Sequence, residues 1–206
     1  MTHFGNPALP GPIAASLRLA WAHLASPGAA WTGAERVGIA ATARAARAGE
    51  PAAADLPEDA VEAAALLGVR PGAARRGWVE AISGRLGRAR YVELVGVVSR
   101  LAAVDTFTHA LGLDREPLPG PGPGAPTGVI DGRARANAAW VPMVGGTSIT
   151  RALSLVPSES AEQERFHGPM YMAYHEMDDP DFSRGLHRPQ MELVAARTSA
   201  INECFY

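Results

Sequence analysis

Glu192 and Cys204, the only cysteine among 206 residues, are the pair of side chains best suited to do chemistry. A cysteine reacts as its thiolate, so its surroundings must bring the thiol pKa to ambient pH or below. A carboxylate nearby can carry the protons that a reacting sulfur exchanges. Spacing restricts this pair. On one continuous helix, twelve residues span ~18 Å and end ~120° around the axis. Contact or a water bridge therefore requires a break near Ala200-Ile201-Asn202. Asn202 is a suitable cap for a new turn, although a helix confined to residues 203–206 would not hold its shape alone. Each residue also has a plainer role: Cys204 as a small buried hydrophobe, Glu192 as a solvated acid at a helix start.

Other constellations offer less. Asp105 and His109 have metal-ligand spacing on a helix, but no third ligand stands out and an ordinary polar pair is favoured. His167 and His175 flank a segment containing Met170, Tyr171, Met172 and Tyr174. With Met177 it reads as core packing and a helix-pairing surface rather than a haem or copper site. No phosphate loop, Gly-x-Ser-x-Gly or Ser/His/Asp set is present. No metal or organic cofactor is implied.

The elements that must position these residues are helical. Alanine dominates and runs of β-branched residues are scarce, which predicts an all-α fold. A formal net charge of −2 gives no field for nucleic acid. All the basic residues are arginine; those between Arg70 and Arg90 read as a solvated helix face, with Glu80 and Glu93 close by. No apolar run is long enough for a membrane span, and the N-terminus does not read as a secretory signal. A single cysteine favours a reducing compartment, so the expectation is a soluble, cytoplasmic protein.

Residues 1–12 read as an extended arm. Helices are predicted near 13–25, 32–48, 57–67, 73–83, 88–111, 158–177 (broken at Gly168-Pro169) and 189–200. Thr32-Gly-Ala-Glu35 is a capping-box pattern, and Pro57-Glu58-Asp59 places proline at a helix start. The prolines and glycines of 117–126 exclude a helix or central strand and read as a semi-rigid linker. The division expected is an N-terminal helical unit over 13–112, a linker over 113–140 and the start of a second unit over 141–206. Shifting the chain by 99 residues places Glu93-Leu-Val on Glu192-Leu-Val and Asp105 on Cys204. An internal duplication would explain this.

Glu192, Asn202, Cys204 and Tyr206 together resemble the carboxymuconolactone decarboxylase and alkylhydroperoxidase D-like superfamily. Many members read Glu, an apolar helix, then Asn-x-Cys-x-x-Cys-x-x-x-His. Trp31-Thr-Gly-Ala-Glu-Arg-Val-Gly-Ile-Ala-Ala, Arg90-Tyr-Val-Glu-Leu-Val-Gly-Val-Val and the segment from Leu186 to Arg197 are also similar to tandem members. The resemblance implies a helical bundle of two related units. Asp105, Thr108 and Gly112 would hold the positions of the two cysteines and the histidine in a degenerate first unit. It further implies a thiol-dependent peroxidase in which Cys204 is one redox sulfur and Glu192 the proton-relay carboxylate. The substrate would be a peroxide, the electron source a dithiol donor and the assembly a homo-oligomer. The second cysteine and the histidine do not appear within 206 residues, so the second unit is expected to be incomplete and its redox function impaired. The alternatives are a non-catalytic helical assembly or binding module and, third, lactone decarboxylation using Glu93 and Glu192. Apolar residues on 191–201 would then lack cover within the chain and need another subunit.

Overall fold

The fold is all-α, as a computed structural model describes it for residue 4 and residues 9–51 and 55–202. Seven α-helices occur among the described residues: α1 (Gly11–Ala25), α2 (Gly33–Ala48), α3 (Glu58–Val69), α4 (Arg76–Leu86), α5 (Arg88–Ala110), α6 (Pro157–Met170) and α7 (Arg188–Ile201). The other regular pieces are 3-10 turns and a two-residue antiparallel pair, β1 (Ser183–Arg184) with β2 (Leu186–His187).

Local signals set the helix ends. Thr32 and Glu35 form the expected capping box: the Glu35 amide donates to Thr32 Oγ1 at 3.2 Å, and the Thr32 amide donates to the Glu35 carboxylate at 2.7 Å. Gly49 closes α2 at φ 73°, a left-handed turn that favours glycine. Pro57 stands one position earlier than expected, as the N-cap before Glu58. α6 continues through Gly168-Pro169 and ends at Met170, seven residues short of the expected 177. Its C-cap Tyr171 has φ −138° and ψ −82°, which no helix can continue.

The core lies between α1 to α5 and one side of α6. Leu17, Leu24, Trp31, Ile39, Ile82, Leu94 and Leu101 are fully buried there. Ala40, Ala43, Ala60, Ala63 and Ala64 let α2 and α3 approach closely; a Cβ on Gly68 would meet the Ala43 carbonyl. α5 is the central helix, and its buried residues fall on most of its circumference. The Pro/Gly tract is extended, as its composition dictates, and it is docked. The Trp21 indole donates to the Pro117 carbonyl at 2.8 Å. The amides of Gly122, Thr127 and Gly128 donate to the carbonyls of Ala25, Gly28 and Ala29 at 2.8–2.9 Å. No helix among the described residues is long and apolar enough to cross a membrane.

Candidate functional site

α7 carries Glu192 and ends at Ile201, with Asn202 as its C-cap at φ −85°, ψ 4°. The helix therefore stops where the Glu192–Cys204 spacing requires a break. Cys204 itself, and the new turn expected after Asn202, lie outside the described residues. Glu192 is about half exposed and accepts from Arg188 Nε at 2.6 Å, one turn away. Such an exposed pair contributes only ~0.3–0.5 kcal/mol.

A second side chain meets Glu192. Burial raises the Tyr171 phenol, and the Glu192 carboxylate raises it further through its charge and by accepting a hydrogen bond. Tyr171 follows the end of α6 and lines a cavity of about 520 Å³ with His167, Arg184, Met191 and Val194. His167 Nδ1 lies 2.7 Å from the Met172 carbonyl. A carbonyl only accepts, so Nδ1 carries the hydrogen and a neutral ring keeps its Nε2 lone pair. The ring is fixed edge-on to Tyr171, with centroids 5.4 Å apart. Arg184 braces the same wall through the Gly168 carbonyl and the Glu176 carboxylate. A carboxylate, a phenol and an imidazole thus gather where α6, α7 and β1–β2 meet. Of these the sequence made only Glu192 a site residue; it assigned Tyr171 to packing and named His167 as flanking that segment, because their proximity depends on where α6 ends.

The strongest electrostatic feature is elsewhere. Arg36 Nη1 lies 2.5 Å from Glu93 Oε1 and 2.7 Å from Glu159 Oε1, with all three side chains fully buried. Arg100 Nη1 donates to Glu159 Oε2 at 3.0 Å and to the Gly96 carbonyl at 3.2 Å. His23 Nε2 lies 2.8 Å from Glu159 Oε1 and, facing an oxygen that only accepts, is the donor. Glu93 also accepts from the Ala30 amide at 2.7 Å. Burial would raise the Glu159 pKa, but the His23 hydrogen bond and the charges of Arg100 and Arg36 outweigh it and hold the carboxyl far below its ordinary range. The position of Glu159 in the first turn of α6 adds the favourable end of the helix dipole. The network ties α6 to α1, α2 and α5, and so fixes the helix whose far end carries His167.

Glycines make room for these carboxylates. A Cβ on Gly28 would overlap the Glu93 carboxylate, and one on Gly96 the Glu159 carboxylate. Glu93 therefore sits in the core rather than beside the solvated arginine face where the sequence placed it. Arg70, Arg75, Arg76, Arg85, Arg88 and Arg90 are exposed, as expected. Among the described residues Glu93 and Glu192 share no hydrogen-bond partner: Glu93 accepts from Arg36 and the Ala30 amide, Glu192 from Arg188. Asp105 is not paired with His109. Its carboxylate accepts from Arg44 at 2.6 and 3.1 Å and from Arg47 at 3.3 Å, while His109 is exposed. Among the described residues no group of acidic, histidine or cysteine side chains is arranged to hold a metal ion.

No protein-family model, characterised protein or solved structure matches the chain.

Proposed function

We propose that the chain performs thiol-based peroxide reduction of the alkylhydroperoxidase type, with Cys204 as the reacting sulfur and Glu192 as the carboxylate that moves its protons. The observation that supports this most is the setting of Glu192. Twelve positions before the only cysteine, it stands beside a cavity wall that also carries Tyr171 and His167. A carboxylate that accepts from a phenol, with an imidazole edge-on to that phenol, suits a reaction that shuttles protons to and from sulfur.

The reaction balances with one cysteine and an external dithiol. The thiolate attacks a peroxide oxygen; the S–O bond forms, the O–O bond breaks and the released alkoxide takes a proton. Sulfur is oxidised by two electrons to a sulfenic acid. One thiol of the donor displaces water to give a mixed disulfide, and its second thiol frees Cys204 as the donor closes its own disulfide. A second thiol within the protein would replace the donor in the first of these steps.

The full chain, supplied with dihydrolipoamide, should consume cumene hydroperoxide. Cys204→Ser should abolish turnover, and Glu192→Gln should slow it by about 100-fold, the scale of a lost proton carrier. No dithiol-dependent turnover by the full chain would sink the reading.

One observation favours the second reading, a helical assembly module. On α7, Leu193, Val194 and Ile201 are exposed at 72%, 59% and 66%. Three large apolar side chains exposed on a 14-residue helix suit burial against a second copy of the chain. Assembly and redox chemistry are compatible, and α7 serves both.

A further inference from the structure

A second cavity, of about 440 Å³, opens between α4, α5 and the loop before α6. Its wall is almost entirely apolar and includes Val79, Val92, Val95, Trp140 and Leu153. The volume is that of a small-ligand pocket. Two groups break the apolar lining, Tyr91 and Arg76.

Tyr91 is only 4% exposed, yet its hydroxyl hydrogen-bonds to no described residue. Its ring is held edge-on to Trp78, with centroids 6.3 Å apart. A phenol in the cavity lining can donate its O–H to a ligand that enters. Burial pushes this phenol up to about 12, so it stays protonated and serves as a donor at any physiological pH. Arg76 lies at the edge of the cavity, its guanidinium 6.0 Å from the Trp140 ring centroid and its Nη2 donating to the Ala138 carbonyl at 2.6 Å. That carbonyl and Trp140 hold the guanidinium in one orientation, with its remaining N–H groups available to an anion. Glu80, 3.6 Å away and well exposed, is a weak competitor.

The geometry points to a binding site for a compact apolar monocarboxylate, aromatic or branched, with its hydrocarbon body in the cavity and its carboxylate oxygens taken by the Tyr91 hydroxyl and the Arg76 guanidinium. The site is distinct from the His167–Glu192 cavity and does not depend on thiol chemistry: none of its lining residues is shared with that wall. The lining excludes a polar or polyanionic ligand, because a single cation and a single phenol face an otherwise apolar surface.

Titration calorimetry of the full chain with 2-naphthoate tests this. Saturable one-to-one binding is expected. Tyr91→Phe and Arg76→Gln should each raise Kd about tenfold, the loss of one hydrogen bond to a charged group. Val95→Trp, which fills the cavity, should remove binding. The neutral analogue 2-naphthylmethanol should bind more weakly and be indifferent to Arg76→Gln. Circular dichroism melts of each variant show that the fold persists. Absence of saturable binding to the unaltered chain overturns the assignment. So does binding that survives Val95→Trp or ignores both polar substitutions.

Discussion

Glu159 offers the sharpest test of how this fold is held together. Its two oxygens receive hydrogen bonds from Arg36, Arg100 and His23, and nothing in its surroundings is solvent. Glu159→Gln keeps the shape, removes the charge and replaces one accepting oxygen by an NH2 group that must face a donor, Arg100 on one side or Arg36 and His23 on the other. Leaving buried cations uncompensated in this way costs about 3–5 kcal/mol. Arg100→Met is the informative contrast. Arg100 Nε and Nη2 have no hydrogen-bond partner among the described residues, so removing this side chain also removes unmet desolvation. Glu159 would still be served by Arg36 and His23, and the expected cost is about 1 kcal/mol or less. Urea denaturation at pH 7 reads both. The sign of the pH dependence follows from the lowered carboxyl: folding holds Glu159 ionised below its ordinary value of 4.5. The stabilisation is complete above that value and is lost as pH falls from there toward the native pKa. Glu159→Gln should therefore flatten the acid limb of stability between about pH 5 and 3. A cost under ~1 kcal/mol for Glu159→Gln, or equal costs for the two variants, would refute a network centred on this carboxylate.

Two further outcomes follow from the same packing. Gly96→Ala places a methyl group on the Glu159 carboxylate; overpacking of about 1–3 kcal/mol plus partial loss of the Arg100 contact is expected, whereas Gly84→Ala in open space on α4 should be neutral or slightly stabilising. Sedimentation velocity should find the full chain self-associated, and Leu193→Glu with Val194→Glu should reduce it to monomers; a well-behaved monomer without these changes would refute the assembly reading.

Local chemistry was legible from the residues. The capping box of Thr32 and Glu35 needs only four consecutive positions, and the arginines between Arg70 and Arg90 are exposed, as their clustering with few aromatics suggested. The buried network was not legible. Glu159 stands 123 positions from Arg36 and 59 from Arg100, and no local pattern distinguishes these charges from solvated ones. Glu93 misled for a related reason. α5 is covered on most sides over its first half, so its sequence lacks the polar face that would have marked Glu93 as an anomaly. The convergence of His167 and Tyr171 with Glu192 was not legible because it depends on α6 ending at Met170, and neither the break expected at Gly168-Pro169 nor the end expected near 177 matches that point.

The docked Pro/Gly tract has a kinetic consequence. Its hydrogen bonds join Trp21 to Pro117 and Ala25 to Gly122, partners separated by about a hundred residues. Closing so long a loop is slow and entropically costly unless the chain between is already compact. The intervening helices α2 to α5 pack largely on their sequence neighbours, so their collapse shortens the effective loop before the tract arrives. The strap should then be a late event in folding and the first long-range contact to open. Within a stretch where prolines carry no amide hydrogen, the amides of Gly122, Thr127 and Gly128 would report that opening one by one in hydrogen exchange.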